Sequence, residues 1–164
     1  MTTIRLAGIS GSLRKNSHNT AILRTLQDRL SADIELALLP LDDLPLYNPD
    51  LEAPELPASV AAFKAAVQAA DGLVVCSPEY NAGTSGVLKN ALDWVVGSGE
   101  LIDKPIVLIN ASPQSKFAVA QLSETLTVMS AKIAGSFTLF PVEENALRSL
   151  IAELHSIETT ARSV

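Results

Sequence analysis

The chain has 164 residues, enough for one domain whose core removes roughly 70% of the unfolded surface from water, so no metal or disulfide staple is needed. Hydrophobic residues make up 48%, aromatics only 4%, and the formal net charge is −6, a balance that argues against a general nucleic-acid binder and against docking on an anionic membrane. One cysteine excludes an internal disulfide, MTTIRLAGIS lacks the basic-then-apolar pattern of a signal peptide, and no apolar run approaches the ~20 residues of a spanning helix, so a cytoplasmic domain is expected.

Residues 3–9 (TIRLAGI) read as a strand. Residues 17–30 read as a helix, with Ile22, Leu26 and Leu30 four apart on one face. In 33–39 (DIELALL) the pattern alternates, so Ile34, Leu36 and Leu38 face one way, as in a half-exposed strand at a sheet edge. A loop with five prolines fills 40–57, and irregular segments of that length often carry function. Pro57 then opens an alanine-rich helix to about residue 70, with Val60, Phe63 and Val67 inward, and Asp71-Gly72 ends it. GLVVCS (72–77) is almost continuously apolar, as in a central strand covered on both faces.

After the loop PEYNAGTS (78–85), a helix is expected over 85–96, with Val87, Leu88, Ala91, Leu92 and Val95 as its apolar stripe and Gly97 and Gly99 at its end. PIVLIN (105–110) reads as the fourth strand and ASPQSK (111–116) as a loop. A helix over 117–132, a fifth strand GSFTLF (135–140) and a closing helix from 143 complete the order. Five alternations of strand and helix predict an α/β fold with a parallel sheet covered on both faces. With DIELALL at an edge, the flavodoxin-like strand order 2-1-3-4-5 fits, as one domain over 1–164 with no internal repeat or linker.

In such a sheet, ligands sit at the carboxyl ends of the strands. GSLRKNSHN (11–19) follows the first strand and opens the first helix. A helix start carries N–H groups with no intrahelical acceptor and a partial positive charge. Ser10, Ser12, Ser17 and Asn19 add hydroxyl and amide donors, and Arg14 a full charge, so a phosphate fits there. The loop is neither GxxxxGK[ST] nor GxGxxG: Gly8 and Gly11 are spaced wrongly, and no acidic residue ends the second strand. Plain capping of the helix by Ser17 or Asn16 is compatible with either outcome.

The loop after the third strand continues as SPEYNAGTSGVLKNALDW (77–94). Together with GSLRKNSHN and PLYNPDLE (45–52), its order and spacing resemble the NADPH-dependent FMN reductases, in the branch that includes quinone and chromate reductases. The resemblance covers roughly the first two-thirds of the chain, first strand through fourth. It implies a flavodoxin-like fold, non-covalent FMN, and NADPH or NADH as co-substrate. It implies that Ser12, Arg14, Ser17 and Asn19, with the backbone N–H of His18, hold the FMN phosphate. Pro78, Glu79, Tyr80 and Asn81 would then lie along the isoalloxazine ring, and Ser112 would close the third side. The residue types agree, because a flavin needs a flat apolar wall and a few amide and carbonyl groups at its polar edge.

The resemblance further implies a homodimer or homotetramer. In it Tyr47 would reach toward the partner's flavin, and the helix carrying Leu92, Trp94 and Val95 would pack across the interface. Trp94 as an ordinary core or surface residue stands beside that reading. Two departures from the pattern have expected consequences. Ser85 replaces a frequent proline, which would loosen the turn, and Gln114, Ser115 and Lys116 replace frequent glycines, which would narrow the pocket or change nicotinamide access.

Cys76 in its apolar strand reads as a buried structural thiol, and His155 as a surface residue of the last helix. Two scattered histidines and one cysteine make no metal site. Glu79 reads as structural rather than as a general base, because hydride transfer through a flavin places the chemistry on the cofactor. The expected activity is therefore ping-pong transfer of hydride from NAD(P)H through FMN to a quinone, a flavin, a nitro or azo compound, or a metal oxyanion. No clamp for a 2′-phosphate can be read from the residues. Two rival readings stand: a flavodoxin-type electron carrier without a substrate site, against which the absence of a threonine-rich phosphate loop counts, and a flavin-free relative that binds another phosphorylated ligand.

Overall fold

Strands that are apolar on both faces need helices on both faces, and this chain supplies them by strict alternation. The computed structural model describes residues 3–139 and 144–161. The elements run β1 (Ile4–Ser10), α1 (His18–Arg29), β2 (Ile34–Leu39), a 3-10 turn (Pro49–Leu51), α2 (Ala58–Ala69) and β3 (Gly72–Ser77). A small hairpin follows, β4 (Glu79–Tyr80) and β5 (Gly83–Thr84), then α3 (Gly86–Val96), β6 (Pro105–Asn110), α4 (Ala118–Val128), β7 (Lys132–Thr138) and α5 (Glu144–Ala161). The main sheet is parallel, in the order β2-β1-β3-β6-β7. With the hairpin set aside, that is the flavodoxin-like order expected from the sequence.

The pleat splits each central strand between two cores. Ala7, Ile9, Leu73, Val75, Ile106 and Leu108 pack on Phe63 and Val67 of α2, Leu88 and Leu92 of α3, and Leu122 and Leu126 of α4. Ile4, Leu6, Val74, Cys76, Val107 and Ile109 pack on Ile22, Leu23 and Leu26 of α1 and on Leu150 and Leu154 of α5. β3 is buried along its whole length, as GLVVCS requires. β2 lies at an edge with Ile34 and Leu36 buried and Glu35 and Ala37 exposed. The register sets Ser10 beside Cys76 and Ser77 beside Asn110, so β1, β3 and β6 present their carboxyl ends together.

Two boundaries differ from the sequence reading. α4 stops at Val128, and β7 begins already at Lys132. The turn between them is closed by backbone bonds: Ser130, at φ 61°, donates its N–H to the Thr127 carbonyl and accepts from the Asp103 N–H, while the Lys132 N–H donates to the Lys104 carbonyl. Edge pairing with β6 thus overrides the helical periodicity of residues 129–132. The segment 78–85 is a hairpin rather than an open loop. Phe140 at the expected end of the fifth strand, Glu143 at the expected start of the last helix, and the side chain of His155 lie outside those described.

The proline-rich loop is pinned to α3. Trp94 is fully buried and donates its indole N–H to the Pro45 carbonyl at 2.8 Å. The Asn90 amide donates to the same carbonyl at 2.9 Å and accepts from the Tyr47 N–H at 2.7 Å. The Tyr47 ring stands edge-on to Trp94, centroids 5.0 Å apart at 84°. Leu92, Trp94 and Val95 are therefore spent on the interior of this chain, at 3%, 0% and 1% exposure, so any contact this helix makes with a partner falls to its other residues. Tyr47 keeps an outward face. Among the described residues, no helix is long and apolar enough to cross a membrane.

Candidate functional site

The carboxyl ends of β1, β3 and β6 open onto a cleft of ≈ 350 Å³. Its first wall is the β1–α1 loop. Ser17 is extended at φ −78°, ψ 127°, and its hydroxyl accepts from the Thr20 N–H, so it caps α1. The first intrahelical bond is Ala21 N–H to the Ser17 carbonyl, which leaves the N–H groups of His18 and Asn19 with no acceptor inside the helix. The first turn of α1 has no acidic residue. Ser12 is buried, its hydroxyl accepting from the Arg14 N–H and standing 3.4 Å from the Tyr80 hydroxyl. Asn19 is buried too, and its Oδ1 accepts from the Cys76 thiol at 3.2 Å. Burial pushes that thiol well above the usual range for cysteine, which makes it an inert packing group.

The second wall is Pro78 and the hairpin. Asn81 and Ala82 both take left-handed φ values, 51° and 59°, as a two-residue hairpin turn demands. The hairpin is held from α4, whose Gln121 Oε1 accepts the Thr84 N–H at 2.7 Å. Gly11 lets the first wall reach the second, because a Cβ there would lie 2.9 Å from Ser85 Oγ and 3.0 Å from Pro78 Cδ. Ser85 does not loosen its turn. It is buried, its φ of −61° would also suit proline, and its hydroxyl accepts the Leu88 N–H to cap α3.

The third wall is the β6–α4 loop. Asn110, buried at the end of β6, accepts the Ser112 N–H at 3.1 Å, and the Ser112 hydroxyl accepts the Gln114 N–H at 3.3 Å. Glu79 crosses from the hairpin to the start of α4. One carboxylate oxygen, Oε2, accepts the N–H groups of Lys116, Phe117 and Ala118 at 2.8, 2.7 and 2.9 Å. These donors, Ala118 and Phe117 foremost, hold the Glu79 carboxyl below its ordinary pKa. A carboxylate already occupied in this way is a brace, in keeping with a structural role and not with that of a general base.

Of the residues singled out in the sequence, Ser12, Arg14, Ser17, His18, Asn19, Pro78, Glu79, Tyr80 and Ser112 line this one cleft. Ser10 does not. Its hydroxyl lies 2.8 Å from Thr20 Oγ1, in an adjoining depression. Asn81 sits exposed at the tip of the hairpin, and its backbone conformation is what the turn uses. Gln114 and Ser115 do form part of the wall, whereas Lys116 serves through its N–H. Sequence reasoning passed over Ser77, Asn110 and Ala111, which also line the cleft. The available signal was positional: Ser77 and Asn110 are the polar residues that end two apolar strands paired in register.

The set suits a flavin mononucleotide. Its phosphate requires donors without a competing carboxylate, which the start of α1 offers, and its ring requires a flat partner, which Pro78 and Tyr80 offer.

Comparison with known proteins agrees. The family model described as NADPH-dependent FMN reductase matches residues 4–143. Over 111 residues the chain is 39% identical to an NAD(P)H-dependent FMN reductase of Pseudomonas aeruginosa, covering 66% of this chain but only 60% of that protein's length. Over 134 residues it is 35% identical to an NADPH azoreductase of a Bacillus species, covering 82% of this chain and 71% of that one. Among solved structures, the flavoenzyme NAD(P)H:(acceptor) oxidoreductase FerB of Paracoccus denitrificans aligns with a TM-score of 0.80 at 29% identity, covering 96% of this chain and 98% of that one. Since the match runs from β1 past β7 and through every loop that builds the cleft, the chain belongs to the NADPH-dependent FMN reductase family.

Proposed function

We propose that the chain acts as one FMN-binding domain and as an NAD(P)H-dependent oxidoreductase, reducing a quinone, a flavin, a nitro or azo compound, or a metal oxyanion. The observation that carries this reading is the unequal state of the two helix starts beside the cleft. Glu79 places a full negative charge on the start of α4, while the start of α1 has a hydroxyl cap and no carboxylate, so an anionic group has one favourable seat. The hydroxyls of Ser12 and Ser17 and the N–H groups of His18 and Asn19 would hold the phosphate, with Arg14 balancing its charge. Pro78 and Tyr80 would flank the ring, and the Asn110–Ser112 turn would meet its polar edge. FMN, when bound, supplies the redox chemistry by accepting a hydride from NAD(P)H and returning it to the acceptor.

The residues around it bind, orient and leave one face accessible. Glu79, held on three backbone N–H groups, fixes the hairpin wall against the start of α4. Use of one open side of the cleft by donor and acceptor in turn would give ping-pong kinetics and parallel double-reciprocal lines. The name of the Bacillus relative supports an azo compound among the acceptors. A homodimer or homotetramer would place the outward face of Tyr47, with Leu46 beside it at 81% exposure, at the interface.

The test is a visible spectrum of the protein after addition of FMN and removal of the excess, taken before and after anaerobic NADPH. Bound flavin that bleaches quickly supports the reading. Bound flavin that NADPH leaves oxidised points to an electron carrier, and a colourless protein overturns FMN binding.

A further inference from the structure

On the other side of the β1–α1 loop lies a second cleft, of ≈ 550 Å³, which meets the first at Ser12 and Arg14. Its lining combines two chemistries: the leucines Leu13, Leu38, Leu39 and Leu41, and the cations Arg14, Lys15 and Arg24. Arg24 follows Thr20 by four residues on α1, so the two share a helix face, and Thr20 is already fixed by its bond to Ser10.

Elsewhere several cations are matched: Lys64 pairs with Glu100, Lys89 with Asp93 and Lys132 with Asp103. Among the described residues, the side chains of Arg14, Lys15 and Arg24 have no ion pair and no hydrogen bond. Asp42 is the one carboxylate lining this cleft. In a chain of net charge −6, three unmatched cations around one depression form a local reversal of sign.

Apolar lining beside three cations suits a planar base that carries a phosphomonoester. Such a group bears nearly two negative charges at neutral pH and takes several donors at once, which an arginine fork and a lysine supply together. We propose that this second cleft holds the adenosine 2′-phosphate end of NADPH, with Lys15 and Arg24 on the phosphate and the leucine wall against the adenine. It rests on the reductase reading above and gives that reading a direction: NADPH in preference to NADH, which has a hydroxyl at the same place.

The test is calorimetric binding of 2′,5′-ADP and of 5′-AMP to the FMN-loaded and the FMN-free protein. The expected result is 2′,5′-ADP bound about tenfold tighter or more, as two added charge-assisted contacts require. A double variant, Lys15→Ala with Arg24→Ala, should bring the two nucleotides to the same affinity. It should lower kcat/KM for NADPH by that same factor while kcat/KM for NADH and FMN retention stay unchanged, and Arg24→Lys should recover part of the loss. Equal binding of the two nucleotides by the native protein overturns the proposal. So does an equal weakening of both in the double variant, or inorganic phosphate binding as tightly as 2′,5′-ADP, which would mark a general anion patch. Failure of the reductase reading has its own signature, since it appears as lost flavin or as no reduction by either nucleotide, while nucleotide binding to the FMN-free protein still reports on the second cleft.

Discussion

The β1–α1 loop and the β6–α4 loop each carry the chain from the carboxyl end of a parallel strand into a helix that starts beside the cleft. At α1 the cap is the Ser17 hydroxyl, a neutral group that satisfies one N–H and leaves the partial positive charge in place. At α4 the capping position is Phe117, with no side-chain cap of its own, and Glu79 from the hairpin supplies a full negative charge across three N–H groups. A helix start is worth about half an elementary charge, so a hydroxyl preserves it and a carboxylate reverses it. Two junctions with the same backbone plan thus present opposite fields to one cleft. What stands on the helix start decides whether it can seat an anion.

The substitution with the largest expected effect makes the first junction resemble the second. Ser17→Asp should cap α1 as well as serine does, within about 0.5 kcal/mol in urea unfolding, yet weaken FMN about 100-fold or more through direct repulsion of the phosphate. Fluorescence titration reads it, and an unchanged FMN affinity would break the comparison. Next comes the close approach of the first two walls. Gly11→Ala should cost about 1–3 kcal/mol of stability, since its Cβ meets Ser85 and Pro78 inside van der Waals contact, and urea midpoints would register it.

Glu79→Gln acts on the second junction alone. It should speed hydrogen exchange at Lys116, Phe117 and Ala118 by about threefold to tenfold, because a neutral oxygen is the poorer acceptor. The pH dependence sharpens this. Glu79 has a lowered pKa in the folded chain, so its contribution is complete above the ordinary carboxylate range and is lost as pH falls through the lowered value. The native protein should therefore release the start of α4 in acid, and the Glu79→Gln variant should show no such step. The smallest change is expected at Ala82→Gly, which relieves a left-handed alanine at φ 59° and should stabilise the hairpin by roughly 0.5–1 kcal/mol, read from the urea midpoint.

Much of the fold was legible because periodicity reports which faces are apolar. GLVVCS announced a strand covered on both sides, and DIELALL announced an edge. The capped start of α1 beside the cleft was legible because capping is local: Ser17 acts on Thr20, three residues away. The end of α4 was not legible, because its periodic residues continue to 132 and the competing partner, Lys104, comes from a distant strand end. Trp94 was open between core and interface for the same reason, since the Pro45 carbonyl that receives its N–H lies 49 residues earlier.

The sequence by itself therefore determined the order of the main-sheet strands and the helices, the edge strand, and the hydroxyl-rich helix start, all of which follow from chemistry within one or two turns of chain. Tertiary structure alone decided where Glu79 spends its charge, 37 to 39 residues away, and that Lys15 and Arg24 share a cleft with Leu38. The physical reason is range. Burial and capping act between near neighbours and leave a local pattern, whereas the partner of a charged or hydrogen-bonding side chain is set by whichever distant group the packed sheet brings within about 3 Å of it.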